Sequence, residues 1–373
     1  MDIPTFLLER NQSEFENQVE INLTESGVHP LSVGELLPEE ELSRFLQLRV
    51  GYGYTEGTPE LREAIATWYP GASAHNVLAT TGTSEANFLV AWSLLRSSDT
   101  LAFMAPNFMQ LDGVARGFGA NVIHFKLRPE LGWRLDFDEV QSVLRTKPTL
   151  ISVVNPHNPT GRVMPPEDMR RLVDLTERAG VWLQVDEIYR GAEIGSAPET
   201  TSFWGTSPRV IVTCSTSKSL AHPGLRLGWI VAPEQVICEC MRRQDYTTIG
   251  TSPLSQYLAT WLLTPMNRAR VLDRSRRILT RNAAVFGEWV SSRNRGISYL
   301  PPEAGGMVFF RYPHALSSRV LCERLRTEAS VLVVAGEWFG MDGYLRVGIG
   351  GEEGMIQLGP ERLGKLLDSL QIA

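Results

Sequence analysis

Seven short apolar runs punctuate the middle of the chain, at Val77–Ala79, Leu101–Met104, Val122–Phe125, Leu150–Val154, Val181–Val185, Val210–Cys214 and Gly228–Val231. Several are continuous rather than alternating. That pattern predicts strands covered on both faces, as in a largely parallel sheet. Helical periodicity fills the gaps. Over Pro165–Gly180, Met169, Leu172, Val173 and Thr176 share one face, Glu167 and Asp168 occupy the first turn, and Gly180 is placed to stop the helix. Thr58-Pro59-Glu60 reads as an N-cap followed by proline at the first helical position, with Leu61, Ala64, Ile65 and Trp68 on one face. Strand–helix alternation of this kind predicts an α/β architecture.

From about residue 255 the pattern changes. A long arginine-rich helical stretch, Pro265–Arg293, precedes strand-like Val308–Arg311, a helical Ser317–Ala329, and two further apolar runs at Val331–Val334 and Tyr344–Ile349. These predict a smaller α+β unit. In the first forty residues the one clear signal is Val19, Ile21 and Leu23 alternating with polar neighbours, as in a half-buried strand. The expected division is therefore 1–45 as a segment packing on the small domain or the active site, 46–255 as the large domain and 256–373 as the small one.

The chain has 373 residues, enough for two domains, and 43% hydrophobic content supplies their cores without covalent staples. A net charge of −6 gives no basic footprint for nucleic acid. Cys214, Cys238, Cys240 and Cys322 are too sparse for a disulfide framework, and the C-x-C pair alone is no zinc signature, so no metal is expected. No apolar run reaches membrane-spanning length and the N-terminus lacks a basic and apolar leader, so the expected location is cytoplasmic.

Four segments follow predicted strands, where open α/β sheets bind ligands. Thr80-Thr81-Gly82-Thr83-Ser84-Glu85-Ala86 opens a helix with small and hydroxylated residues. Its free N–H groups and helix dipole suit a phosphate, although an ordinary capped helix start has the same look. Asn155-Pro156-His157-Asn158-Pro159-Thr160-Gly161 is an extended double-proline turn that can present an Asn side chain. Val185-Asp186-Glu187-Ile188-Tyr189 puts a carboxylate at a strand tip, where it needs a partner or a capping role. Ser215-Thr216-Ser217-Lys218-Ser219-Leu220, with Arg226 and Gly228 following, sets one lysine among hydroxyls. A lysine nucleophile needs a partly deprotonated amine.

In this order the four segments resemble the class I/II aminotransferases of fold-type-I pyridoxal 5′-phosphate (PLP) enzymes, from about residue 20 to the C-terminus. The resemblance implies a mostly parallel seven-stranded sheet flanked by helices, a smaller α+β C-terminal domain, PLP as cofactor, an amino acid as substrate and a homodimer with shared active sites. It implies that Lys218 forms the Schiff base with the cofactor and moves the α-proton, and that Asp186 pairs with the pyridine nitrogen. Asn158 and Tyr189 would bond the ring oxygen, and Phe108 would stack on the ring. Gly82, Thr83, Ser84, Ser215, Ser217 and Arg226 would cup the phosphate. Arg346, in Tyr344-Leu345-Arg346-Val347-Gly348, would clamp the substrate α-carboxylate. Tyr52, with Tyr54 as a substitute, would reach the neighbouring subunit's phosphate.

These residues set the cofactor and substrate class. They leave the outcome at the α-carbon open, with transamination leading. Glu25-Ser26-Gly27-Val28-His29-Pro30 and Asp245–Pro253 resemble the corresponding segments of capreomycidine-synthase-type enzymes, which have the same fold and cyclise a hydroxylated arginine by elimination and ring closure. In that reading Gly27 lets the entry segment approach the substrate, and His29 and Glu25 contact its side chain. A remote alternative is a non-catalytic PLP-binding regulator, disfavoured by the presence of Lys218 and Arg346 and by the lack of a helix-turn-helix segment.

Overall fold

The computed structural model describes residues 3–293, 296–313 and 315–370. Strand β1 (Ile21–Asn22) lies in the N-terminal segment. The seven apolar runs then form β2 (Val77–Thr80), β3 (Thr100–Ala105), β4 (Asn121–Lys126), β5 (Leu150–Val154), β6 (Trp182–Asp186), β7 (Val210–Ser215) and β8 (Gly228–Val231). They make one sheet in the order β2-β8-β7-β6-β5-β3-β4, parallel throughout except for β8, which runs antiparallel to β2 and β7. Burial explains the continuous apolar runs. Every residue of β5 and β7 is covered on both faces, whereas the edge strand β4 is largely open.

Helices flank this sheet. The helix Pro166–Ala179 buries Met169, Leu172, Val173 and Thr176 and stops at left-handed Gly180, as its sequence predicts. The helix Pro59–Ala66 starts where Thr58 accepts a hydrogen bond from the Leu61 N–H at 3.2 Å.

After the helices Pro253–Leu263 and Pro265–Ser292 come β9 (Ser298–Tyr299), β10 (Met307–Arg311), β11 (Val331–Leu332), β12 (Val334–Ala335) and β13 (Tyr344–Gly348). The antiparallel order β12-β13-β10-β9 builds a second, smaller sheet. The single run expected at Val331–Val334 is split: β11 pairs with β1, while β12 turns to pair with β13. Ile21 and Leu23 from the N-terminal segment therefore lie in the same apolar core as Phe286, Val308, Leu321 and Val347.

Candidate active site

The carboxyl ends of β2, β5, β6 and β7 open on one side of the large sheet, and the four sequence segments leave from them. They enclose a cavity of about 220 Å3. Its wall includes Thr83, Ser84, Phe108, Asn158, Asp186, Tyr189, Ser215, Ser217, Lys218 and Arg226, together with Arg346 from β13 of the small sheet.

One end of the cavity is a cup. Gly82 starts the helix Gly82–Leu94 in the left-handed region, at φ +79°. A methyl group on it would lie 2.7 Å from the Arg226 guanidinium. A methyl on Gly228 would lie 2.5 Å from the Gly82 carbonyl carbon and 2.6 Å from the Thr83 nitrogen, so β8 packs against the helix start only because it has no side chain there. Arg226 takes a left-handed backbone and donates to the Pro223 carbonyl at 2.9 Å, and among the described residues no carboxylate pairs with it. The Thr83 hydroxyl is buried with no partner. Ser215 Oγ accepts from the Ser217 N–H at 3.2 Å. An unpaired guanidinium, an orphaned hydroxyl and a helix N-terminus fit a phosphate.

The middle of the cavity is organised by Asp186. Burial pushes its carboxyl up to about 7, against hydrogen bonds from the Ile188 N–H at 3.0 Å and from Asn87. No arginine or lysine pairs with it among the described residues, so a protonated ring nitrogen is a fitting partner. Asn87 is itself held, because its Oδ1 accepts from Gln184 at 2.7 Å and from the Thr213 hydroxyl at 3.0 Å. Tyr189 is buried, its hydroxyl 2.8 Å from Ser26 Oγ. Phe108 lines the wall and packs edge-on against Phe6, ring centroids 4.8 Å apart.

At the far end Arg346 is only 3% exposed, so it is not the surface arginine of an edge strand. Its guanidinium donates to Asn158 Oδ1 at 3.0 Å and to the Thr24 carbonyl at 2.7 Å, which leaves Nε buried without a partner. Burial lowers its pKa below the ordinary arginine value, opposed by Tyr189, Glu25 and Glu9. Lys218 Nζ stands 3.3 Å from Glu25 Oε2, and Glu25 accepts a second bond from Gln12 at 2.5 Å. The expected partly deprotonated lysine is not what these groups produce. Burial favours the neutral amine, but Glu25 and Tyr189 outweigh it and raise the amine above its usual value. Lys218 in turn holds the Glu25 carboxyl below its ordinary range, against burial.

Of the expected residues, His29, Gly27 and Tyr52 stand apart from the cavity wall, and Gly82 starts the helix that contributes Thr83 and Ser84 to it. His29 turns to Arg274, whose guanidinium lies 3.0 Å from the His29 Nδ1 and also donates to its carbonyl. Burial, then Arg274, keeps that imidazole below its usual pKa. Gly27 backs Lys218: a methyl there would meet the Ser217 carbonyl at 2.9 Å and Lys218 Cα at 3.2 Å. Tyr52 is 96% exposed and lines a different hollow with Thr248–Pro253, while Tyr54 is 57% exposed.

Several residues of the wall were given no role by the sequence reading, among them Glu9, Gln12, Thr24, Ser26 and Asn87. Glu9 and Gln12 ride on the helix Leu7–Phe15, whose one buried residue is Leu8. An apolar stripe that thin leaves no periodicity to read. Asn87 lies one turn into the helix Gly82–Leu94, so the loop that opens that helix was the available signal.

The fold and the cavity define an enzyme of the fold-type-I PLP class, and the chain belongs to the aminotransferase class I and II family, whose profile matches residues 33–363. Capreomycidine synthase of Streptomyces vinaceus is 31% identical over 346 residues, covering 89% of this chain and 85% of that protein. A valine–pyruvate aminotransferase of Mycobacterium tuberculosis is 28% identical over 86% of this chain and 84% of its own. A PLP-dependent aminotransferase from Streptococcus suis superposes with a TM-score of 0.93 at 27% identity, over 100% of this chain and 99% of that one. The protein is a PLP-dependent enzyme of the aminotransferase type. Among the described residues no helix is long and apolar enough to cross a membrane.

Proposed function

We propose that the enzyme binds an amino acid by its α-carboxylate at Arg346, removes the α-proton with Lys218 and returns that proton in a transamination. The convergence of Lys218, Asp186, Asn158 and Arg346 on one cavity carries this reading. When bound, PLP supplies an electron sink for the pair left at the α-carbon. Asp186 holds the proton of the ring nitrogen in place. Thr83, Ser84, Ser215, Ser217 and Arg226 hold the phosphate, with Gly82 and Gly228 giving it room. Tyr189 and Asn158 bond the ring oxygen, and Phe108 covers the ring. Arg346 orients the bond to be broken, because its guanidinium grips both carboxylate oxygens. Lys218 Nζ, freed from Glu25, then carries the proton.

A second reading, elimination and cyclisation of a hydroxylated arginine, is favoured by the 31% identity to capreomycidine synthase. It uses the same residues for the first proton transfer. The purified yellow holoenzyme is mixed with single amino acids without any keto acid. Transamination converts the cofactor stoichiometrically to its amine form and bleaches the visible band, while elimination releases product and restores the band. In Lys218→Ala either reaction falls by on the order of 10^2 to 10^4. A variant that keeps full turnover removes Lys218 from this role.

We further read residues 46–255 as the cofactor-holding domain, 256–373 as the small domain, and 1–45 as a segment that serves the site. The exposure of Tyr52 supports a homodimer in which that ring meets the partner's phosphate. Four free cysteines support a cytoplasmic setting.

A further inference from the structure

Six charged side chains face the cavity: Asp186, Lys218, Arg226 and Arg346, and, at its rim, Glu9 and Glu25. The proposed function engages the first four. Arg226 meets the phosphate, Asp186 the ring nitrogen, Arg346 the α-carboxylate, and Lys218 is committed to the cofactor. That leaves two carboxylates on the cavity wall to which the proposed function gives no role. In the structure Glu25 answers Lys218 at 3.3 Å, a partner it loses once the lysine is engaged. Glu9 is half-buried beside the same groups. Burial raises its carboxyl, and Lys218 and Arg346 are the cations that oppose that rise. Gln12, on the same face of the helix Leu7–Phe15, holds Glu25 in position from the opposite side. The buried, unpartnered Nε of Arg346 independently marks this end of the cavity as built for a ligand.

We propose that the enzyme selects amino acids whose side chain ends in a cation, a guanidinium or an ammonium group, and that Glu9 and Glu25 receive it with Gln12 as their positioning residue. This rests on the proposed function, because it assigns the α-carboxylate to Arg346, and it holds for either outcome at the α-carbon. Glu9, half-buried, and Glu25, exposed at the mouth, repel each other once Lys218 is engaged elsewhere, and a cationic substrate end removes that imbalance.

The test is a titration of the holoenzyme followed by the visible spectrum of its cofactor. Arginine is compared with citrulline, its uncharged isostere, and lysine with norleucine. Half-saturation is expected at about tenfold lower concentration for each cationic member of the pair, the size of one partly exposed charge-assisted hydrogen bond. Glu25→Gln and Glu9→Gln, each checked for a retained cofactor band, are expected to bring that ratio toward one. Equal or better binding of citrulline and norleucine overturns the proposal. So does a ratio that survives in both variants, which makes Glu25 a counter-ion of Lys218 and nothing more. If no amino acid of any charge perturbs the spectrum, the proposed function falls, and this inference falls with it.

Discussion

The proposed phosphate cup and the proposed substrate rim are held by different kinds of interaction. The cup is framed by backbone, a strand tip, a helix start and two glycines, which let β8 and the side chains of Arg226 and Thr83 meet. The rim is made by side chains from distant parts of the chain, with Arg346 joined to Asn158 and to Thr24, and Lys218 joined to Glu25 and through it to Gln12. A cup of this sort accepts one ligand chemistry and resists change. The rim can be retuned one side chain at a time, which suits a family whose members share a cofactor and differ in substrate.

The largest effect that separates the two should come from Arg346→Ala. Losing a buried, hydrogen-bonded guanidinium costs about 2–5 kcal/mol, or roughly thirtyfold to several thousandfold in amino-acid affinity. The cofactor should stay bound, because the cup is untouched. Spectral titration reads both quantities, and unchanged amino-acid affinity would remove Arg346 from the rim.

Next in size is a pH effect at the boundary between the regions. Asp186 must be ionised to pair with a ring cation, yet burial has pushed it up to about 7. Cofactor affinity should climb as pH rises from 6 to 8, by up to about tenfold per unit for each proton released. For Asp186 in the cofactor-stripped protein the sign is opposite. The folded state holds this proton more tightly than the unfolded chain, so stability falls as pH rises from about 4 through about 7. Dialysis against buffered cofactor, and melting of the stripped protein, measure the two arms. A cofactor affinity that is flat across this window contradicts the assignment of Asp186.

The smallest expected effect is in the cup. Thr83→Val removes a hydroxyl that has no partner of its own in the protein. Cofactor binding should weaken about twofold to tenfold, the value of one neutral hydrogen bond. The stripped protein should melt no earlier, because an unsatisfied buried group has been removed. A stripped protein that melts clearly earlier would mean that the hydroxyl serves the fold.

The same contrast decides what the sequence disclosed. All seven strands of the large sheet were legible, the inner ones because burial on both faces leaves unbroken apolar runs such as Leu150–Val154. The residues of the proposed cup were legible because they fall in two short runs, Gly82–Ser84 and Ser215–Gly228, each at the end of a strand. The rim was legible only in part. Arg346 stood out by motif, but its bond to the Thr24 carbonyl has no sequence signature, since every residue has a carbonyl. The helix Leu7–Phe15 was missed because tertiary contacts, not an apolar stripe, place Glu9 and Gln12. His29 was read as a substrate contact from the resemblance of Glu25–Pro30 to capreomycidine-synthase-type enzymes, and here its ring turns to Arg274. Tyr52 lies in a part of the surface that this one chain leaves open.

The pairing of β1 with β11 reaches beyond the architecture. Beside the side-chain bonds at Thr24, Glu25 and Ser26, main-chain bonds stitch the stretch from Ile21 to Ser26 down, Leu23 accepting from Gly348 at 2.7 Å and Ser26 from Gly306 at 3.1 Å. Such stitches do not depend on which side chains precede them. The opening twenty residues are thus an exchangeable cassette: a graft from a relative could re-aim the enzyme's choice of amino acid while leaving the catalytic engine as it is.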